Sequence, residues 1–198
     1  MTTTNVKARL DRRAVVRGLL EERAGLLVVS GLGSATYDVY AAGDHARNFY
    51  LWGAMGGAAM LGYGLALAQP QLPVLVVTGD GEQLMGLGAL ATIGAQKPAN
   101  LTIVVLDNSH YGETGMQASH TGLGVDLPGI AKNCGFHWTS SVSTLEGVEE
   151  IRQRAHRREG TGFASILIDA AEVPRALPQR DGSYLKTRFR EALGLAAI

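Results

Sequence analysis

The chain has 198 residues, 46% of them hydrophobic, with acidic and basic side chains in balance at a formal net charge of zero. That length gives one domain of ordinary size, residues 1–198, with ample chain for a core, and the lack of any basic excess argues against nucleic acid as a partner. Cys134 is the lone cysteine, which excludes an intrachain disulfide or a thiolate metal cluster and fits a reducing, cytoplasmic compartment. In chain order, residues 1–13 are basic without an apolar signal core. Charged and apolar residues at helical spacing predict a helix over Arg9–Glu22, with Gly25 as its C-cap. Leu26–Ser30 reads as a buried strand, Gly31–Ser34 as a turn and Ala35–Ala42 as a helix. Gly43–Asn48 is a polar loop and Phe49–Leu51 a short strand. Met55–Gln69 is a small-residue helix stopped by Pro70, and the longest weakly polar run, Gly53–Ala68, is Gly-rich and too short to span a bilayer, so no membrane is expected. Strands are expected at Val74–Thr78 and Leu101–Leu106, with one helix over Leu84–Gln96 between them. Leu127–Cys134 is a short helix ended by Gly135, and Phe136–Thr139 is a short strand. Thr144–Glu159 is an amphipathic helix with Thr144 as N-cap. Ser165–Asp169 is a last strand and Tyr184–Leu193 a terminal helix. Strands alternating with helices predict an α/β fold, a doubly wound and mainly parallel sheet with helices on both faces.

Asp80 and Asn108 carry the chemistry. Asp80 stands in Gly79-Asp80-Gly81 after one apolar run, and Asn108 follows Asp107 after the next. A strand–helix–strand crossover makes those two strands parallel neighbours. Their ends then present a carboxylate and an amide oxygen together at the carboxyl edge of the sheet, where open α/β sheets bind ligands. Hard oxygen ligands beside a glycine turn suit a magnesium ion with a bound phosphate group. Glycines on both sides of Asp80 let phosphate oxygens approach main-chain N–H groups at a helix N-terminus.

This Gly-Asp-Gly segment, closed by Asn108 at a similar distance, resembles the signature of thiamine-diphosphate-dependent enzymes. Leu51-Trp52-Gly53-Ala54-Met55-Gly56 is similar to the family's segment around the aminopyrimidine ring. Asn108 to Gln117 is similar to its loop after the metal site, and the likeness runs from Leu26 to Ile168. Within the family it most resembles the β subunit of sulfopyruvate decarboxylase and the pyrophosphate-binding part of phosphonopyruvate decarboxylase. Two positions depart from the pattern. Asp107 replaces the first residue of the usual closing Asn-Asn pair, and Glu82 stands where a small hydroxyl residue is common, so its carboxylate is expected to point away from the diphosphate.

The resemblance implies thiamine diphosphate and Mg²⁺ as cofactors, with Asp80, Asn108 and the main-chain carbonyl of His110 as metal ligands. It further implies Gly33, Ser34, Gly79, Gly81, Glu82, Tyr111 and Gly112 around the diphosphate. Gly53 offers its carbonyl to the aminopyrimidine, beside Ala54, and Met55 is the bulky hydrophobe beneath the bent cofactor. The His110 imidazole is left for proton donation or substrate contact. His120 and His45 are weaker candidates of that kind, while His137 and His156 read as structural or surface residues.

The family's activating glutamate belongs to a pyrimidine-binding domain for which this chain has no room. The expectation is half of an active site in a non-oxidative decarboxylase of small 2-oxo acids, completed by a pyrimidine-domain α subunit in an α₂β₂ or larger assembly. Rival readings are the β subunit of a 2-oxo acid:ferredoxin oxidoreductase, a nicotinamide-dependent dehydrogenase and a non-catalytic cofactor-binding regulatory subunit. The first often carries cysteine pairs for iron–sulfur clusters. The second would have to use a glycine pattern at Gly31-Leu32-Gly33 that fails at Thr36.

Overall fold

A computed structural model describes residues 9–196. Its main sheet is parallel throughout, in the order β2-β1-β3-β4-β8-β7. The strands are β1 (Leu27–Ser30), β2 (Asn48–Tyr50), β3 (Val74–Gly79), β4 (Leu101–Asp107), β7 (Trp138–Val142) and β8 (Gly162–Leu167). A small antiparallel pair, β5 (His110–Tyr111) and β6 (Gln117–Ala118), follows β4. The helices are α1 (Arg12–Leu20), α2 (Ser34–Ala41), α3 (Ala58–Ala68), α4 (Asp80–Met85), α5 (Ala89–Gln96), α6 (Leu127–Cys134), α7 (Leu145–Arg157) and α8 (Gly182–Glu191).

Side chains alternate across the strands and build two cores. One face carries Val28, Leu75, Val77, Val104 and Ile166 against α1, α2 and α7. The other carries Val29, Val76, Ile103, Val105 and Phe163 against α3, α5 and α6. The central strand β4 is buried along its whole length, as expected of a parallel strand covered on both faces. Helix α8 lies along the β2 edge, Leu185 in the first core and Phe189 in the second, where it meets Phe49 edge-on at 5.8 Å between ring centroids. It covers hydrogen-bonding groups that an edge strand would otherwise expose.

From β1 the chain moves outward to β2 and then crosses back past β1 to β3, so the sheet has its topological switch between β1 and β3. A crevice opens there at the carboxyl ends of the strands. Before α1 begins, Leu10 forms a parallel bridge with Ile168, and the Asp11 carboxylate caps the helix by accepting from the Ala14 amide at 2.7 Å.

Four expectations need correction. The crossover between β3 and β4 is two helices, α4 and α5, broken at Gly86–Gly88. At the break the Gly56 and Gly86 backbones touch, and a Cβ on Gly86 would lie 2.2 Å from the Gly56 carbonyl. The strand expected at Phe136–Thr139 runs instead over Trp138–Val142, because Phe136 is a core plug packed edge-on against Phe163. The last strand begins at Gly162, beneath the Trp138 ring, and ends at Leu167. Helix α3 starts at Ala58, three residues after Met55, because 53–57 is a loop with positive φ at Gly53 and Gly56.

Candidate cofactor site

A cavity of about 130 Å³ occupies the crevice. Residues after β1 (Leu32, Ser34, Ala35), at and after the end of β3 (Gly79 to Glu82) and after β4 (Asn108 and His110 to Thr114) line it, together with Met55. Pairing of Gly79 with Leu106 puts Asp80 level with Asp107 and one step short of Asn108. Asp80 is the first residue of α4, and only 3% of it is exposed.

Asp80 is held by hydroxyls. Ser119 Oγ and Thr121 Oγ1 (3.0 Å) both donate to its Oδ2, which leaves Oδ1 without a side-chain donor among the described residues. Thr121 Oγ1 also lies 2.9 Å from Asp107 Oδ1, so one hydroxyl proton serves two carboxylates. Burial raises the Asp80 pKa first of all. The Ser119 hydrogen bond opposes that rise, the Asp107 charge adds to it and the Thr121 bond again opposes it. Asp107 is further tied by the Ser109 amide at 2.8 Å and by the Ser109 and Ser165 hydroxyls. Its presence in place of an amide therefore has a structural consequence, since it puts a second carboxylate behind Asp80.

Asn108 Oδ1 accepts from the His110 amide at 2.9 Å, which tightens the turn after β4. The His110 ring is not free, because its Nδ1 lies 2.8 Å from the Asn108 carbonyl and must donate there, leaving Nε2 as the available nitrogen. Tyr111 lies over Gly81, where a Cβ would come within 2.8 Å of the ring. The Tyr111 hydroxyl pairs with His120 Nδ1 at 2.6 Å, so His120 reaches the site through tyrosine. Gly112 lines the cavity beside Asn108.

Gly33 is the N-cap of α2, with φ +77° and no side-chain cap bond, followed by Ser34. The helix end facing the cavity therefore presents main-chain amides without a capping side chain. Glu82 is buried on α4, and its Oε2 accepts from Thr78 Oγ1 at 2.7 Å, while Oε1 has no hydrogen-bond partner of normal geometry. Burial raises its pKa, opposed by the Thr78 hydroxyl and the nearby main chain of Gly56, Ala58 and Leu32. A Cβ on Gly31 would fall 1.6 Å from that carboxylate. Gly31 thus makes room for Glu82, a reason for glycine that differs from the nucleotide turn weighed from sequence. Gly53 has φ +76° with open space where a Cβ would stand, Ala54 accepts from the Gly57 amide at 2.9 Å, and Met55 is 45% exposed.

The structure does not bring His45 to the site. It precedes β2 at the opposite edge of the sheet and accepts from the Arg47 amide at 3.0 Å. His137 accepts from the Thr161 amide at that same far edge, and His156 lies on α7. Sequence reasoning missed Ser119, Thr121 and Arg12. The first two follow a loop with no periodic signal, and Arg12 is one charged residue among several on α1.

The donor set fits a diphosphate held through a small divalent cation. It comprises one carboxylate, one amide and helix-end N–H groups, with glycines where backbone must come close. Among the described residues no cluster of three or more His, Cys, Asp or Glu could hold a metal unaided. Such a cation would draw its remaining ligands from phosphate and water.

Known proteins resemble the chain in sequence and in fold. The chain is 43% identical over 173 residues to sulfopyruvate decarboxylase subunit beta of Methanocaldococcus jannaschii, covering 84% of this chain and 88% of that one. It is 39% identical over 189 residues to phosphonopyruvate decarboxylase of Streptomyces viridochromogenes, covering 92% of this chain but only 46% of that longer one. In fold it is similar to benzoylformate decarboxylase from Polynucleobacter necessarius, with a TM-score of 0.66 at 20% identity over 83% of this chain and 34% of that one. The family described as "Thiamine pyrophosphate enzyme, C-terminal TPP binding domain" matches residues 31–168, and the chain belongs to it.

Proposed function

We propose that residues 1–198 form a single pyrophosphate-binding domain, one subunit of a thiamine-diphosphate- and Mg²⁺-dependent, non-oxidative 2-oxo acid decarboxylase. The observation that carries this is the β3–β4 register, which sets Asp80 beside Asn108 at the switch-point crevice of a chain in this family. Similarity to a subunit beta over nearly its whole length, and to about half of a longer decarboxylase, supports a site completed by a second polypeptide.

In this reading Asp80, Asn108 and the His110 carbonyl hold the magnesium ion. The amides of Gly33 and Ser34 at the α2 N-terminus, with Gly79, Gly81 and Gly112, receive the diphosphate. Gly53 offers its carbonyl to the aminopyrimidine beside Ala54, and Met55 supports the ring system from below. When bound, the cofactor supplies the electron sink for loss of carbon dioxide from the 2-oxo acid. His110, which lines the cavity with Nε2 available, would serve there as a proton donor or substrate contact. Tyr111 and Glu82 shape the walls, the first over Gly81 and the second under Gly31.

The pyrimidine-domain α subunit supplies the activating glutamate and covers the surface near Met55, Met60 and Leu61, which are 45%, 39% and 37% exposed. Its docking excludes water from the reacting carbon. Two such pairs make an α₂β₂ assembly in the cytoplasm. No helix among the described residues is long and apolar enough to cross a membrane, which is compatible with that location.

The test is release of carbon dioxide from pyruvate, sulfopyruvate and phosphonopyruvate. It is run first with the purified chain, magnesium and thiamine diphosphate, then with the partner subunit added. The chain alone should be silent and the mixture active. Full activity from the chain alone refutes the split site, and an active mixture that needs an electron acceptor refutes the non-oxidative assignment.

A further inference from the structure

Arg12 lies outside the family-matched stretch, yet it reaches the cofactor cavity. Its side chain is 9% exposed, and its Nε donates to Asp38 Oδ2 at 2.6 Å. Asp38 sits on α2, is fully buried at its side chain, and also receives Arg13 at 3.5 Å. This leaves Arg12 Nη1 and Nη2 without an acceptor among the described residues. Arg12, Ser34, Asn108 and Gly112 line both the crevice cavity and an adjoining cavity of about 120 Å³. A guanidinium whose inner nitrogen is clamped presents its outer fork in a fixed orientation, the geometry that suits a phosphate.

The position of α1 is fixed by main-chain contacts rather than by chance packing. The Leu10 amide donates to Leu167 O at 3.0 Å and the Asp169 amide donates to Leu10 O at 2.9 Å. Arg9 donates to Ile168 O at 2.9 Å and to Ser109 Oγ at 2.9 Å. The first residue of α1 is therefore held at the same sheet edge as the uncapped start of α2. Glu113 borders both cavities as the opposing charge, and its carboxylate is drawn to Arg175 at 3.2 Å.

We infer that Arg12 binds the terminal phosphate of the cofactor, completing with the α2 N-terminus an oxyanion site that the family-matched stretch lacks by itself. The inference rests on the thiamine-diphosphate reading above. The same fork could take a tetrahedral phosphonate or sulfonate, so the experiment separates cofactor from substrate.

Titrate the full chain calorimetrically, with magnesium present, against thiamine diphosphate and against thiamine monophosphate, then repeat with Arg12→Gln and Arg12→Lys. Losing charge-assisted bonds of this kind corresponds to roughly 10- to 100-fold in affinity. Arg12→Gln should weaken thiamine diphosphate by that factor and leave the monophosphate within about twofold, and Arg12→Lys should recover part of the loss. Where Arg12→Gln fails to fold because Asp38 loses its closer, buried partner, the double variant Arg12→Gln/Asp38→Asn removes both charges and carries the test. Equal loss for both ligands, or no loss for either, overturns the inference. So does unchanged diphosphate affinity with a raised KM for sulfopyruvate or phosphonopyruvate in the reconstituted enzyme, which gives the arginine to the substrate. If neither the parent chain nor its complex with the partner subunit shows magnesium-dependent binding of thiamine diphosphate, the underlying reading fails and takes this inference with it. Binding by the parent with no change in the variants overturns the inference alone.

Discussion

Replacing Asp80 with Asn should make the cofactor-free chain more stable while removing its response to cofactor. Asp80 is buried, and Asp107 opposes its charge. Its pKa is therefore above that of an unfolded aspartate, about 3.9. The folded chain holds this proton more tightly than the unfolded chain does. The stabilising contribution is thus full below pH ~4 and lost as pH rises through the raised value. An amide of the same shape keeps an acceptor for Ser119 and Thr121 without the charge, so at neutral pH the cofactor-free variant should melt above the parent. For a chain of this size each 1 kcal/mol is about 2–4 °C in Tm. Near pH 4 the gain should vanish. With magnesium and thiamine diphosphate at 100 times Kd the parent gains about 2.7 kcal/mol, or roughly 5–11 °C, whereas Asp80→Asn should not move. Thermal melts at two pH values, with and without magnesium and cofactor, read all of this. An unchanged cofactor shift in the variant refutes the metal assignment. A cofactor-free variant that melts several degrees below the parent at neutral pH refutes the electrostatic reasoning.

Two further outcomes are expected. Met55→Ala should lower turnover of the reconstituted enzyme several-fold while magnesium-dependent cofactor affinity stays near the parent's, and Met55→Leu, close in volume, should keep turnover; equal turnover in all three makes Met55 an ordinary surface residue. Gly86→Ala drives a Cβ to 2.2 Å from the Gly56 carbonyl, so it should cost about 1–3 kcal/mol by denaturant melt and lower turnover by displacing the Met55 loop. A stable, fully active Gly86→Ala enzyme would show that this backbone contact does not hold the loop.

The readable parts of the sequence were those where one short-range rule acts alone. Val74–Gly79 and Leu101–Asp107 are β-rich and buried on both faces, so their type, pairing and the placing of Asp80 and Asn108 at their ends followed directly. The break between α4 and α5 was hidden because Leu84–Gln96 keeps a helical pattern, and the reason for the break is a backbone 30 positions away, at Gly56. Trp138–Val142 was misplaced because an edge strand is half-solvated and needs no apolar run, while Phe136 looks like a strand residue but fills the core. The hydroxyls of Ser119 and Thr121 and the guanidinium of Arg12 are long-range partners, and no local spacing marks them. His110 matched the family loop, but its ring bond to the carbonyl of Asn108 depends on a turn that residue types alone do not specify.

The bridge between Leu10 and Ile168 has a consequence for how the protein is made. Arg9 and Ile168, joined by a hydrogen bond, are 159 positions apart. During synthesis the amino-terminal segment emerges first, yet α1 cannot take its final place until β8 has left the ribosome and paired with β4. The Gly-Asp-Gly turn and the Asn108 loop are both complete well before that. The wall that carries Arg12 is therefore the last part of the crevice to form, and in a nascent chain stopped short of Ile168 that side of the crevice stays open.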